Sequence, residues 1–304
     1  MLHFLPSPVL FVINAILLVV NVIVVATPIM LLGIIRMVLP FDFSIRIIDR
    51  INFYLYRFWT LNIRIMIALT NDVKWHMTGI TVPHCHKSCI IISNHVSWFD
   101  ILLICVIYGS KLPTTKFFMK QSLIYIPFIG LACYALGMPF LKRYSKDILL
   151  KNPALRMKDI ETTKKVCKAL VKYPTTLINF CEGSRYTKEK AEKQKSPYQF
   201  LLPPKAASIG VALFEIGNDV EYIFNSTLYY PENSKSAFMD MMFGKLSHIY
   251  VDVDLLKKDE TLIGDYLGDK QFKHDFTMHI REIWENKDAI LSKMHADFEK
   301  NSGN

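Results

Sequence analysis

Apolar positions set the layout of the chain. From Met1 to Ile35 there is no Asp, Glu, Lys or Arg, and the run "VLFVINAILLVVNVIVV" continues past Pro28 into "MLLGIIRMVLP". A bilayer-crossing helix needs roughly 20 apolar residues, so this run suffices for one span or for a bent pair of half-penetrating helices. Its start lacks the basic residues of a secretory signal, and its apolar stretch is too long for one. Residues 41–70 mix Arg with Ile, Phe and Tyr at helical spacing and predict an amphipathic helix lying along the interface. A second apolar run, Leu123 to Leu141, is also as long as a span, but it carries Pro127, Gly130, Gly137 and Pro139. It reads either as a span or as a buried or membrane-surface segment of the domain.

Between and after these runs the period changes. "DVKWHMTGITV" and "SCIIIS" are rich in β-branched residues and predict strands, "DILLICVIY" predicts a helix, and "KFFMK" opens another structured stretch. Residues 156–172 predict a basic amphipathic helix with Ile160, Val166, Ala169 and Leu170 inward, followed by the buried strand "TTLINFCE". A polar, mobile loop is expected over 183–199, then the helix "KAASIGVALFEIG" and the strands "VEYIFNSTLYY" and "LSHIYVDVDLL". Phe272, Phe276, Ile280, Ile283, Trp284, Ile290, Leu291, Met294 and Phe298 recur near a 3.6-residue period and predict a closing helix. The expected fold class is α/β: a mixed, mostly parallel sheet flanked by helices, with an N-terminal helical membrane anchor. The chain divides into four segments: an apolar anchor over 1–40, an interfacial helix over 41–70, an α/β domain over 71–255 and a helical tail over 256–304.

Composition narrows the partners. The 304 residues are 51% hydrophobic and 21% charged, enough for a sizeable core and incompatible with a disordered chain. A formal net charge of +9 and a pI near 9.1 suggest an acidic partner: nucleic acid, an anionic membrane surface or a phosphorylated substrate. The basic stretch 142–172 has only Tyr144 and Tyr173 near it, too few aromatic groups for a nucleic-acid groove, so anionic lipid headgroups fit better, with a solvated helical face as the plain alternative for most of its lysines. Arg36, Arg46, Arg50, Arg57 and Arg64, the basic residues after the first apolar run, place the rest of the chain in the cytoplasm. Six cysteines without a C-x-x-C pair predict neither a disulfide framework nor a zinc site, and His84 and His86 beside Cys85 lack a distant partner pair for a metal.

Two stretches carry candidate chemistry. In "NHVSWFD" an imidazole and a carboxylate, His95 and Asp100, stand between two apolar runs. On a continuous helix, positions five apart differ by about 140°, so the two meet only if His95 sits in a turn and Asp100 in the helix's first turn. Ser97 is then the N-cap and Asp100 its N3 partner; the acid either closes a capping box or orients His95 as a general base. In "NFCEGSRYT" a strand ends in an acid, a glycine, a hydroxyl and an arginine. A glycine there permits a tight turn, and a guanidinium suits bidentate phosphate binding, with Glu182 steering it or a neighbouring basic group; a solvated turn with a Glu/Arg pair is the plain alternative. Lys142 and Arg143 in "GMPFLKR" and Lys205 in "LLPPKAA" are weaker basic candidates. Cys181 and Ser97 are poor nucleophiles, the one ending an apolar strand and the other explained by capping.

Together these motifs resemble the glycerophospholipid acyltransferase family, the PlsC-like enzymes that acylate 1-acyl-glycerol-3-phosphate. Its Asn-His-x4-Asp block is matched by Asn94, His95 and Asp100. Its glycine-to-arginine block is matched by Gly137 to Arg143, and its Glu-Gly-Thr/Ser-Arg block by Glu182, Gly183, Ser184 and Arg185. The similarity runs from about residue 75 to 230, and "KRYS", "EGSR" and "LLPPKAA" look most like the bacterial YihG-type branch. The fourth block departs: "NSTLYYP" stands where an apolar Val-Pro-type stretch is usual. The resemblance implies a bacterial inner-membrane enzyme with its domain facing the cytoplasm, taking acyl groups from acyl-CoA or acyl-carrier protein to a lysophospholipid without a further cofactor. It implies His95 as base, Asp100 as its orienter, and Asn94, Lys120, Arg143, Glu182, Gly183, Ser184, Arg185 and Lys205 around the acceptor. It also implies a non-spanning Leu123 to Leu141, because the blocks must share one side of the membrane. A thioesterase or lipase using the same site on water, and an inactive anchored scaffold, are the rival readings.

Overall fold

The computed structural model describes residues 2–141, 161, 163–164, 167–168, 173–231 and 236–302. Two long helices open it. Helix α1, Ser7–Val38, is continuous with Pro28 inside it, and α2 is Asp42–Thr70. They are followed by β1 (Lys74–Gly79), β2 (Cys89–Ser93), α3 (Phe99–Tyr108), β3 (Thr115–Phe117) and the short β4 (Met119–Lys120). Strands β6 (Thr176–Phe180), β7 (Tyr222–Tyr229) and β8 (His248–Leu256) complete the main sheet, in the order β1-β8-β7-β2-β6-β3. Every neighbouring pair is parallel except β7 and β8. The sheet is thus mixed and mostly parallel, flanked by helices, as the period changes predicted.

Both faces of the sheet are covered, which is why its central strand is apolar throughout. Strand β2 is fully buried; its Cys89 and Ile91 pack with Leu103 and Ile104 of α3 and Ile63 of α2. Its Ile90 and Ile92 turn to the other face, against helices we number α6 (Ala206–Ile216) and α8 (Lys270–Ser302). The alternation follows from the period of two along a strand. Phe276, Ile280, Ile283, Trp284, Leu291 and Met294 of α8 are buried, so the predicted apolar stripe of the tail helix joins the sheet's core.

Helix α1 presents one stripe to the protein along its length: Leu10, Asn14, Asn21, Val25, Ala26 and Ile29 are buried. Its polar members are tied down. The Asn14 amide donates to the carbonyls of Met241 and Met242, in the short helix α7 (Ala237–Met242), at 3.2 and 3.0 Å and accepts from Thr70 Oγ1 at 3.0 Å. Asn21 donates to the Trp59 carbonyl at 3.3 Å. The outward side is apolar and exposed, with Val12, Ile16, Val20, Ile23 and Ile34 among its residues. Helix α1 is long and apolar enough to cross a membrane.

The second apolar run does not make such a helix. It breaks into a 3-10 turn, Gln121–Tyr125, a seven-residue helix α4, Ile129–Ala135, and the two-residue strand β5, Phe140–Leu141, paired with β4. Pro127 and the positive φ of 71° at Gly137 interrupt it, and α4 packs against α1 so closely that Gly33 has no room for a Cβ beside Ala135. Residues 183–199, expected as an open loop, hold a short helix α5, Lys188–Lys193, whose N-cap Thr187 accepts from the Lys190 backbone N–H. The helix expected over 156–172 falls largely outside the described residues.

Candidate active site

Strands β2, β6 and β7 run parallel, with Ser93 in register with both Phe180 and Ser226. Their carboxyl ends therefore meet at one edge, where open α/β sheets place ligands. The chain after β2 supplies His95, that after β6 supplies Glu182, and that after β7 supplies Tyr230.

His95 Nδ1 lies 2.8 Å from Asp100 Oδ2, the imidazole 14% exposed and the carboxylate 0%. The same Oδ2 accepts the backbone N–H of Val96 at 2.6 Å and of Ser97 at 2.8 Å, while Ser97 Oγ accepts from Phe99 N–H at 3.2 Å. The helix starts one residue later than expected, with Trp98 rather than Ser97 at its N-cap and no side-chain cap there, but the one Asp100 oxygen still meets both the N–H groups of the turn and the ring. The second, Oδ1, accepts from the Tyr230 hydroxyl at 2.8 Å. Burial first, and then the adjacent carboxylate, push the Tyr230 phenol well above its ordinary range, so it stays a donor. The imidazole stacks on Phe180 with centroids 4.2 Å apart, and its Nε2 has no hydrogen-bond partner among the described residues.

Among the described residues Glu182 pairs with no arginine. It is fully buried; Oε1 accepts the His95 backbone N–H and Oε2 the Leu202 N–H, each at 3.0 Å. Burial pushes its carboxyl up to about 8, against the pull of those two donors. It is a strut between two loops: the His95 carbonyl in turn accepts from Tyr186 N–H at 2.7 Å. Asn94 is likewise a strut, since its amide exchanges two 2.9 Å hydrogen bonds with the backbone of Leu228 and is fully buried.

Arg185 lies with its guanidinium carbon 4.6 Å from the centre of the Trp98 ring. Trp98 also lines an apolar cavity of about 790 Å³ between α1, α2, α3 and the α4 segment, with Val22, Ile29, Leu102, Phe117 and Met138 among its walls. Gly183 adopts φ 67°, the left-handed region that favours glycine, with the Lys205 side chain packed beside it. Ser184 is half-buried beside it, and Lys205 is tied by its backbone N–H to the Cys181 carbonyl at 2.7 Å. Lys120 is exposed, next to Met119, another wall of the cavity. Arg143 lies outside the described residues. Cys181 is fully buried and its thiol pushed up to about 12 by that burial, which removes it as a nucleophile. Trp98 and Tyr230 carried no signal in the sequence: an aromatic beside a turn and a tyrosine after a strand are common.

An imidazole held by a carboxylate thus sits at the carboxyl end of a parallel sheet, three residues before the Trp98 that meets Arg185 and lines the apolar cavity. Residues 74–213, just under half of the chain, match the family model described as Acyltransferase. Similar curated proteins are the 1-acyl-sn-glycerol-3-phosphate acyltransferase gamma of Mus musculus, 26% identical over 179 residues, and of Homo sapiens, 25% identical over 172 residues. The matches cover 54% and 52% of this chain but 44% and 43% of those proteins, so the chain spans less than half the length of these relatives. Among solved structures, the 1-acyl-sn-glycerophosphate (LPA) acyltransferase PlsC from Thermotoga maritima superposes with a TM-score of 0.51, covering 91% of this chain and 97% of that one. At 15% identity the likeness is one of fold.

Proposed function

We propose that the protein moves a fatty acyl group from acyl-CoA or acyl-carrier protein to the sn-2 hydroxyl of 1-acyl-glycerol-3-phosphate, or of a related lysophospholipid. The observation that carries this reading is the His95–Asp100 pair at 2.8 Å, in the same turn as Trp98, which meets the Arg185 guanidinium and lines the apolar cavity. Asp100 holds the proton on Nδ1, leaving the Nε2 lone pair to take the acceptor's hydroxyl proton. The alkoxide oxygen attacks the thioester carbonyl, the C–O bond forms, the C–S bond breaks, and the imidazolium returns its proton to the departing sulfur. No covalent acyl-enzyme is needed. Arg185, with Lys120, Arg143 and Lys205, holds the phosphate, and the cavity takes an acyl chain, each buried CH2 contributing about 0.8 kcal/mol.

The exposed apolar side of α1 seats the enzyme in a bacterial inner membrane with the site toward the cytoplasm. The stripe of α1 packed on the protein from Leu10 to Ile29 supports a helix that meets the bilayer together with the domain rather than crossing it alone. The test is an assay of the purified protein in lipid, with long-chain acyl-CoA and acyl-carrier protein as donors and a panel of lysophospholipids. Acyl chains appearing on an acceptor, and lost with His95→Ala, support the proposal. Free fatty acid as the sole product would replace it with a hydrolase.

A further inference from the structure

Among the described residues, three Asp, Glu, Lys or Arg side chains are fully buried: Asp100, Glu182 and Lys287. The first two hold His95. The third rises from α8, outside the segment that matches the acyltransferase family, within the apolar stripe of Ile280, Ile283, Trp284, Leu291 and Met294. Burying an ammonium costs several kcal/mol unless it is bonded, and packing that stripe on the sheet does not require one.

The ammonium is bonded to the strand that carries the site. Lys287 Nζ donates to the Ser226 carbonyl at 2.7 Å and to Thr227 Oγ1 at 3.1 Å. The next residue, Leu228, grips the Asn94 amide with both its backbone groups, and Asn94 precedes His95. From the other side Glu182 grips the His95 N–H. Lys287 and Glu182 also feel each other's charge: burial pulls the lysine down to about 7 while Glu182 and Cys181 oppose it, and the ammonium in turn favours the ionised Glu182. Asp252 and Asp254 of β8 also favour its charged form.

We infer that Lys287 is a positioning residue for the base: from the C-terminal helix it fixes the β7 backbone that clamps Asn94 and supports the Glu182 strut, so that His95 is held from two sides. The inference rests on acyl transfer as the reaction. The test uses full-length Lys287→Met and Lys287→Gln, alone and combined with Glu182→Gln. It reads acyl-transfer kcat and acceptor KM, thermal unfolding, and the NMR signals of the His95 ring.

The expected result is a Lys287→Met protein that still folds but unfolds at a lower temperature, since the change leaves the buried Ser226 carbonyl without its donor. Its kcat falls about tenfold or more with acceptor KM within about twofold, its His95 signals shift, and adding Glu182→Gln costs little more, the mark of residues acting as one unit. An unchanged kcat in the folded variant, unmoved His95 signals, or losses that simply multiply with Glu182→Gln would each overturn the inference. So would unfolding of both single variants, which assigns Lys287 to the scaffold. A wild-type protein inert toward every acceptor, with His95 signals that still move in Lys287→Met, sinks the reaction and supports the positioning.

Discussion

Trp98 holds the Arg185 guanidinium 4.6 Å from its ring centre and is at the same time a wall of the apolar cavity. One side chain therefore joins the guanidinium proposed to hold a phosphate to the cavity proposed to hold an acyl chain, and His95 lies three residues before it. A lysophospholipid has this same sequence of parts: anionic head, reacting hydroxyl, apolar tail.

Arg185→Ala should raise the acceptor KM far more than it lowers kcat. Arg185→Lys should recover only part of the loss, because an ammonium gives up both the fork and the stacking. Trp98→Ala removes a contact worth about 0.5–1 kcal/mol at an exposed site, so its acceptor KM should rise a few-fold. Steady-state kinetics with varied acceptor concentration check all three, and equal KM values for wild type and Arg185→Ala would remove Arg185 from the phosphate site.

His95→Ala should lower kcat by roughly 10²–10⁴-fold, the range of a positioned base, with little change in thermal stability. Asp100→Asn should lose less activity but more stability, since Asp100 Oδ2 also accepts the Val96 and Ser97 N–H groups. Activity and melting temperature measured on the same samples separate the two effects.

Tyr230→Phe deletes one hydrogen bond to the second Asp100 oxygen, at 2.8 Å. Leaving a buried carboxylate oxygen without its donor should cost about 1–3 kcal/mol, read as a lower midpoint in denaturant. An unchanged midpoint would mean that another donor takes its place.

Glu182 is pushed up to about 8 by burial. A raised folded-state value means that the native protein binds this proton more tightly than the unfolded chain does. The stability it confers is full below the ordinary carboxylate range and drains away as pH climbs toward 8. Glu182→Gln does not titrate, so the wild-type melting temperature, measured relative to this variant, should fall as pH rises from about 5 to about 7. A pH-independent difference would refute the raised value.

Much of this was legible along the chain because it is periodic or local. The β-branched runs of β2, β6 and β7, the 3.6-residue recurrence from Phe276 to Met294 and the five-residue step from His95 to Asp100 each depend on neighbours close in sequence. Pattern alone left Leu123 to Leu141 open between span and segment, since length and apolarity are alike for both; prolines, a left-handed glycine and packing on α1 broke it into short pieces.

The sequence by itself determined the α/β layout, the apolar N-terminal helix and the residues that hold candidate chemistry, because strand and helix periods and short-range capping are local physics. Only the tertiary structure decided which partner each of them meets. Glu182 reaches back 87 positions to the His95 N–H rather than to the nearby arginine, Tyr230 crosses 130 positions to Asp100, and Lys287 lies 61 from the Ser226 carbonyl it holds. Those pairings arise from three parallel strands ending at one edge, an arrangement of long-range register on which no local period bears.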